Sequence, residues 1–405
     1  MRAMRRLFPA LRGRDRGQML VVIALVVIPV SLVLSAVAVD ASVWQSERRG
    51  AQKDADLAAL AGALELVKPN PGDAATAARS SLAQNDEAGN GGSRDANIKT
   101  LKVDNSCFPH DAKDDAVTVD VDHGSQTYFS KIFGLQVAPD IGAHAKACAG
   151  AAQAPGGIVP IEINTTDPCF DVDGRPRIAQ ACPIEYGAEH GNPRGILDLQ
   201  ADPDYCSDAR GGGELEDLIV TGAPGSCRIN GGDTCDPPKN GPWYDCVGVQ
   251  NGNPSKVARA FATRLAQEGA CDTDGDGIEQ FDETVTLAFD SPDDTRDVYE
   301  PRDCDPNTEG VQLSRRLITI IVLKNPPTSG NSGYPIYAFA GMYVEGCNGD
   351  PTSETGLDPK CRVPGSGRGV GHIVVWGRFV NLIFAGHEAG PPTDATTIFS
   401  ISLVQ

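Results

Sequence analysis

The chain has 405 residues, 40% of them apolar, with 45 glycines, 29 prolines, only 6% aromatics and a formal net charge of −19. That length holds two or three domains and that apolar share can build buried cores, while the Gly/Pro content predicts a body rich in strands and loops. The acidity excludes nucleic acid and disfavours anionic lipid as partners of the body, leaving divalent cations or plain solubility as its meaning.

Residues 1–17 hold Arg2, Arg5, Arg6, Arg12, Arg14 and Arg16 against the single acid Asp15. Residues 19–39 then run MLVVIALVVIPVSLVLSAVAV without a charge. At about 1.5 Å per residue such a helix matches the roughly 30 Å hydrocarbon core of a bilayer. The sequence therefore predicts a basic cytoplasmic tail (1–17), a transmembrane helix (18–39) and an extracytoplasmic remainder, because arginines stay inside. Pro29 is compatible with a membrane helix. The competing reading is a cleaved secretory signal, with Ala36-Val37-Ala38 as an A-x-A site. The apolar run exceeds the roughly 7–15 residues of a signal's core, and either reading exports the body.

Residues 40–68 continue as a stalk helix: Asp40 marks the membrane exit, Trp44 suits headgroup level, and no proline intervenes before Pro69. Ala51, Ala55, Ala58, Ala59 and Gly62 recur at helical spacing as a stripe of small residues, beside an apolar row of Leu57, Leu60, Leu64 and Val67. Such a stripe lets helix backbones approach closely. Periodicity alone does not distinguish packing on the chain's own domain from packing on a neighbouring subunit.

Residues 69–148 predict a small α/β unit. It consists of a short helix (72–84), strands at 98–103 and 116–122, a helix at 125–133 and a strand at 137–148. Residues 149–157 (AGAAQAPGG) read as a linker. Residues 158–405 read as a β-rich region with short apolar runs at 196–199, 215–220, 318–323, 334–344, 372–383 and 397–404, and one clear helix at 257–267. All twelve cysteines follow the span, starting at Cys107. An even number in an exported region, with no C-x2-C pair, predicts up to six disulfides rather than zinc. Cys107 with Cys148 is the expected pair of the first unit, since both flank it. The fold class expected is α+β: a transmembrane helix running into a pilin-like stalk, a small α/β unit, and a β-rich, disulfide-stapled extracytoplasmic domain.

One motif carries ligand chemistry. In CDTDGDGIEQFDE, Asp272, Asp274 and Asp276 take positions 1, 3 and 5 of a calcium loop (272–283). Gly277 takes the turn position, Ile278 offers its carbonyl at position 7, and Glu283 stands at position 12. Three carboxylates two residues apart repel one another unless a hard cation sits among them. The apolar residue stands at 7 instead of 8, with Glu279 at 8, so the run is closer to the D-x-D-G-D-G-I loops of extracellular repeats than to an EF-hand. The alternative is an acidic surface turn. No G-x-S-x-G elbow or H-E-x-x-H pair occurs, so no hydrolase site is expected.

The run from Arg16 to Ala63 also resembles the N-terminal segment of TadE/TadG-like pilus-assembly proteins. In that family Arg-Gly precedes the span, Asp closes it, and an aromatic, a basic pair and a Gln-x-x-x-Asp-x-x-Ala-Leu-Ala run follow. The matching positions are Arg16, Gly17, Asp40, Trp44, Arg48, Arg49, Gln52, Asp56, Ala58, Ala59, Leu60 and Ala61. Thr127, Tyr128, Phe129, Phe133 and Gly134 resemble the family's proximal unit, and residues 191–199, 231–234 and 377–380 resemble distal regions of some members. The Asp-x-Ser-x-Ser metal motif of members with an adhesive A domain is absent from the body. Gly17 fits a prepilin cut, but Val22 stands where that site places Glu. The resemblance implies a non-catalytic, membrane-anchored structural component of Flp/Tad-type pilus assembly or a related surface system. Its expected partners are membrane lipid through the N-terminal helix and other pilus subunits through the stalk, with structural Ca2+ as the expected cofactor. The alternative is a secreted calcium-dependent adhesin or binding protein released by cleavage near Ala38.

Overall fold

The computed structural model describes residues 16–67, 74–88, 97–108, 114–124, 129, 131, 140–153, 155–187, 196–199, 206, 215–223, 227–230, 234–235, 243–249, 254–266, 271–272, 274–276, 278–289, 298–301, 314–325, 333–348, 356–362, 372–385, 389–390 and 396–404. Arg16–Leu66 is a single helix, α1, 51 residues long. Alanines and leucines sustain it, and Pro69 and Pro71 follow just beyond its end, where proline cannot continue a helix. There follow α2 (Ala74–Ala88) and strands β1 (Asn97–Asp104), β2 (Ala116–Gly124) and β3 (Asp140–Ala152). The helix expected at 125–133 lies outside the described residues, apart from Phe129 and Lys131.

Two compact units divide the chain: Met1–Ala58, Arg79–Leu101 and Val119–Ala145 in one, Ala59–Ala78, Lys102–Thr118 and Lys146–Gln405 in the other. Strands β1 to β3 run through both. In the first unit Val119 and Val121 alternate inward on β2, as do Ile141, Ala143 and Ala145 on β3. This is the period of two that a half-buried strand requires. In the second unit the disulfide Cys107–Cys148 ties the turn after β1 to β3. Buried Asp115 holds that turn by accepting the Cys107 N–H at 2.9 Å. The expected pairing is present.

Residues 149–152, expected to open a linker, instead complete β3. Its partner is the C-terminal strand β15 (Ile398–Val404), antiparallel from Phe399 opposite Ala151 to Val404 opposite Lys146. The small residues have a packing reason. A Cβ on Gly150 would stand 2.3 Å from the Gly390 carbonyl oxygen and 2.6 Å from the Phe108 ring.

The remaining elements are β4 (Ile158–Asn164), β5 (Ala181–Gly187), β6 (Leu197–Asp198), α3 (Leu215–Thr221), β7 (Cys246–Val249), α4 (Pro254–Leu265), α5 (Phe281–Thr284), β8 (Val285–Phe289), β9 (Val298–Pro301), β10 (Leu317–Leu323), β11 (Tyr334–Asn348), β12 (His372–Val380), β13 (Leu382–Ala385) and β14 (Ala389–Gly390). One sheet runs β1-β2-β3-β15-β13, with β14 on β3; the second runs β4-β10-β11-β12-β5, with β7 on β11 and β6 on β7. β4 and β10 are parallel, whereas the other neighbours along that path are antiparallel.

The second sheet is buried on both faces. Ile318, Ile320 and Val322 of β10 enter one apolar cluster with Phe261 and Leu265 of α4, while Leu317, Ile321 and Leu323 enter another with Phe339 and Tyr343. This explains why LITIIVL reads as a continuous apolar run instead of an alternating one. Residues 215–220, expected as a strand, form α3. Leu215, Leu218 and Ile219 share a buried helical face, and Glu216 and Asp217 occupy the first turn, where acids favour a helix.

Disulfides staple this unit at Cys169–Cys182, Cys206–Cys227, Cys235–Cys246 and Cys347–Cys361. Cys271 is disulfide-bonded too, and among the described residues no cysteine is free.

Candidate functional site

Two features bear on function, the N-terminal helix and the acidic loop. On α1 the large apolar side chains are mostly bare, with Val21 62% exposed, Leu25 71% and Leu34 66%, while Ala36 is buried. Exposure falls to 43% at Val39, and at Asp40 the helix becomes buried on one side. The Asp40 carboxylate accepts the main-chain N–H of Phe129 at 3.1 Å. Helix α1 is long and apolar enough to cross a membrane.

The stripe of small residues is covered within the chain itself. Ala55, Ala58, Ala59 and Ala63 are fully buried and Ala51 nearly so. A Cβ on Gly62 would meet Val117 Cγ1 at 2.8 Å and the Ala74 carbonyl oxygen at 3.0 Å. Of the two ways such a stripe can pack, the structure takes the internal one, so this face is not available to a neighbouring subunit. Gln52, Arg48, Arg49 and Lys53 are exposed on the remaining surface, and Leu57, Leu60 and Leu64 are half-buried.

The acidic loop brings Asp272, Asp274 and Asp276 together, one carboxylate oxygen from each lying within 4.8 Å of the others. Local turns hold them. Asp272 accepts the Gly275 N–H at 2.8 Å, Asp274 accepts that of Asp276 at 3.0 Å, and Asp276 accepts that of Ile278 at 2.7 Å. Gly275 adopts φ +77°, a left-handed conformation that glycine takes without penalty. Ile278 thus lies beside the cluster, whereas Gly277 and the side chain of Glu283 fall outside the described residues. The three carboxylates constitute a cation-sized arrangement of hard oxygen donors.

Sequence reasoning missed how the loop is moored. Glu279 is buried and accepts the Cys271 N–H at 3.1 Å, with Ser314 Oγ on its other oxygen. Its carbonyl accepts the Tyr343 hydroxyl at 2.7 Å. The Tyr343 ring stands edge-on to Phe281 at 5.2 Å, and the Arg378 guanidinium lies 5.5 Å over Phe281. The available signal was Glu279 itself, a charge at the position where a calcium loop normally turns an apolar side chain inward.

The protein therefore joins one long apolar helix to a mixed helix-and-sheet body closed by disulfides. Residues 17–65 match the model of the Tad family, described as Flp pilus-assembly TadE/G-like. No curated protein matches the chain. No solved structure does either. The match covers the apolar run and its extension from Asp40 to Glu65, so the likeness to that family is a likeness of this segment.

Proposed function

We propose that the protein is a membrane-anchored, non-catalytic structural component of a Flp/Tad-type pilus-assembly or related surface system. Residues 18–39 cross the bilayer, the arginine-rich tail stays cytoplasmic, and the body is extracytoplasmic. One observation carries this reading. The family match over residues 17–65 coincides with a helix whose large apolar side chains are exposed up to Val39 and whose small-residue stripe from Ala51 onward is buried. Contacts with other pilus components follow the apolar span or the exposed polar face, since the small-residue stripe is occupied. The loop Asp272, Asp274, Asp276, with Ile278 and Glu283, takes Ca2+ as a structural staple. Carboxylates this close repel strongly, and a divalent cation offsets that repulsion.

The test is the intact, non-reduced mass of the native protein in membrane, sheared-surface and culture fractions. Full-length, oxidised chain in the membrane or sheared fraction supports the proposal. A species beginning near Val39 and free in the medium overturns it in favour of a secreted binding protein.

A further inference from the structure

The contact between Asp40 and Phe129 fixes the height of the Phe129 backbone relative to the apolar helix. Asp40 is the first charged residue after the bare run, and it is buried, whereas Val37 and Val39 just before it are 45% and 43% exposed. Its carboxylate holds the Phe129 main-chain N–H at 3.1 Å, so the Phe129 backbone lies level with the end of the apolar run. At that level the Phe129 side chain is 46% exposed, and Lys131, two residues on, is exposed as well. One helical turn further along α1 stands Trp44, half-buried. Aromatic rings are favoured at the boundary between hydrocarbon and water, and a lysine beside them reaches headgroup phosphates while its stem stays apolar.

We propose that Phe129 and Lys131 form a membrane-surface contact, with the Phe129 ring inserted at the outer hydrocarbon boundary and the Lys131 ammonium among lipid headgroups. The Phe129 backbone is bonded to α1 at the residue that follows its apolar run, and that level selects lipid as the occupant of the exposed ring over a second protein surface. The contact is apolar-led, which suits a body too acidic to be held on lipid by long-range attraction. The Asp40 hydrogen bond then has a mechanical role. It couples the Phe129 backbone to the helix at the membrane exit.

This inference rests on α1 spanning the bilayer, and the experiment separates the two. The full-length chain is reconstituted in phosphatidylcholine vesicles with doxyl quenchers either near the headgroup or near the bilayer centre. Emission is measured for Phe129→Trp and Ile23→Trp, each as the difference from the parent with its three native tryptophans. Expected is loss of the added Phe129→Trp emission mainly with the shallow quencher, and loss of the Ile23→Trp emission with the deep one. Quenching of Ile23→Trp without quenching of Phe129→Trp overturns the surface contact and leaves the anchor standing. Absence of quenching at both positions overturns the membrane anchor, and the surface contact falls with it.

Discussion

The side-chain amide of Gln52 donates to the main-chain carbonyl of His144, 2.9 Å away and 92 residues later in the chain. The same nitrogen donates to Asp56 Oδ1 at 2.8 Å, so the Gln-x-x-x-Asp pair within the family-matched segment acts as a clamp of α1 onto β3. Replacing Gln52 by Ala removes both bonds at an exposed site and is expected to cost about 0.5–1.5 kcal/mol. Gln52→Glu is expected to be worse, because it sets a carboxylate against a carbonyl oxygen and Asp56. Denaturant unfolding of the full-length chain in detergent reads the difference. Equal stability of all three would remove the clamp from consideration.

A second prediction concerns how closely the helix approaches its neighbours. Gly62 has no room for a methyl group: the Val117 methyl at 2.8 Å and the Ala74 carbonyl at 3.0 Å stand where a Cβ would point. Gly62→Ala improves helix propensity by about 1 kcal/mol in isolation, yet overpacking costs typically about 1–3 kcal/mol. The net expectation is destabilisation, larger for Gly62→Val. A gain in melting temperature for Gly62→Ala would mean that α1 and α2 separate easily.

For the acidic loop the expectation is calorimetric. Ca2+ titrated into the chelator-treated protein should give saturable heat at one site, lost in the double variant Asp274→Asn, Asp276→Asn. Glu283→Gln should weaken binding if that side chain closes the shell. Stabilisation by mass action reaches about 2.7 kcal/mol at a hundredfold excess over Kd, visible as a rise in melting temperature on adding Ca2+. An unchanged melting temperature with and without chelator would reduce the loop to an acidic turn.

Arg264 makes a prediction about the body's core. It is buried on α4 and donates to four main-chain carbonyls: those of Arg315 at 2.7 Å, Ile219 at 2.9 Å, Val220 at 3.0 Å and Leu317 at 3.2 Å. Two of these belong to the last turns of α3, whose carbonyls have no intrahelical donor. Burial, with the nearby Arg315 charge, lowers its pKa to about 10. It thus caps α3 and fastens it to β10. Arg264→Met orphans buried carbonyls at about 1–3 kcal/mol each, for a total of about 3 kcal/mol or more. Arg264→Lys keeps the charge without the fork and should fall between the two.

The contrast between what the sequence showed and what it hid follows from the range of each interaction. The apolar run of α1, the alternation in β2 and the pairing of Cys107 with Cys148 are local or flank one unit, and all are present. Residues 215–220 misled because a short apolar run has no period of its own. The acids Glu216 and Asp217 were the better guide, and they signalled a helix. The linker expected at 149–157 gave way to a strand over 149–152 for a different reason. Small residues there serve a pairing with β15, some 250 residues away, and nothing local announces a partner at that distance. The three carboxylates of the loop were readable from spacing alone, but their mooring through Glu279 and Tyr343 was not, since it depends on β11.

The last prediction is a pH effect from the same core. Tyr186 on β5 is fully buried, and its hydroxyl has no hydrogen-bond partner among the described residues. Burial, with the Glu162 charge adding to it, raises the phenol pKa well above its ordinary value of 10.0. The folded state therefore keeps a proton that the unfolded chain gives up above about pH 10. Its contribution is fully present below that pH and is lost as pH rises toward the folded value. Tyr186→Phe retains the ring, removes a buried polar group without a partner, and is expected to be neutral or stabilising at pH 7. It should also flatten the loss of stability between about pH 9 and 11. Melting temperatures of parent and variant across that range decide the matter. Destabilisation by more than about 1 kcal/mol at pH 7 would show that the hydroxyl is bonded after all, through a buried water.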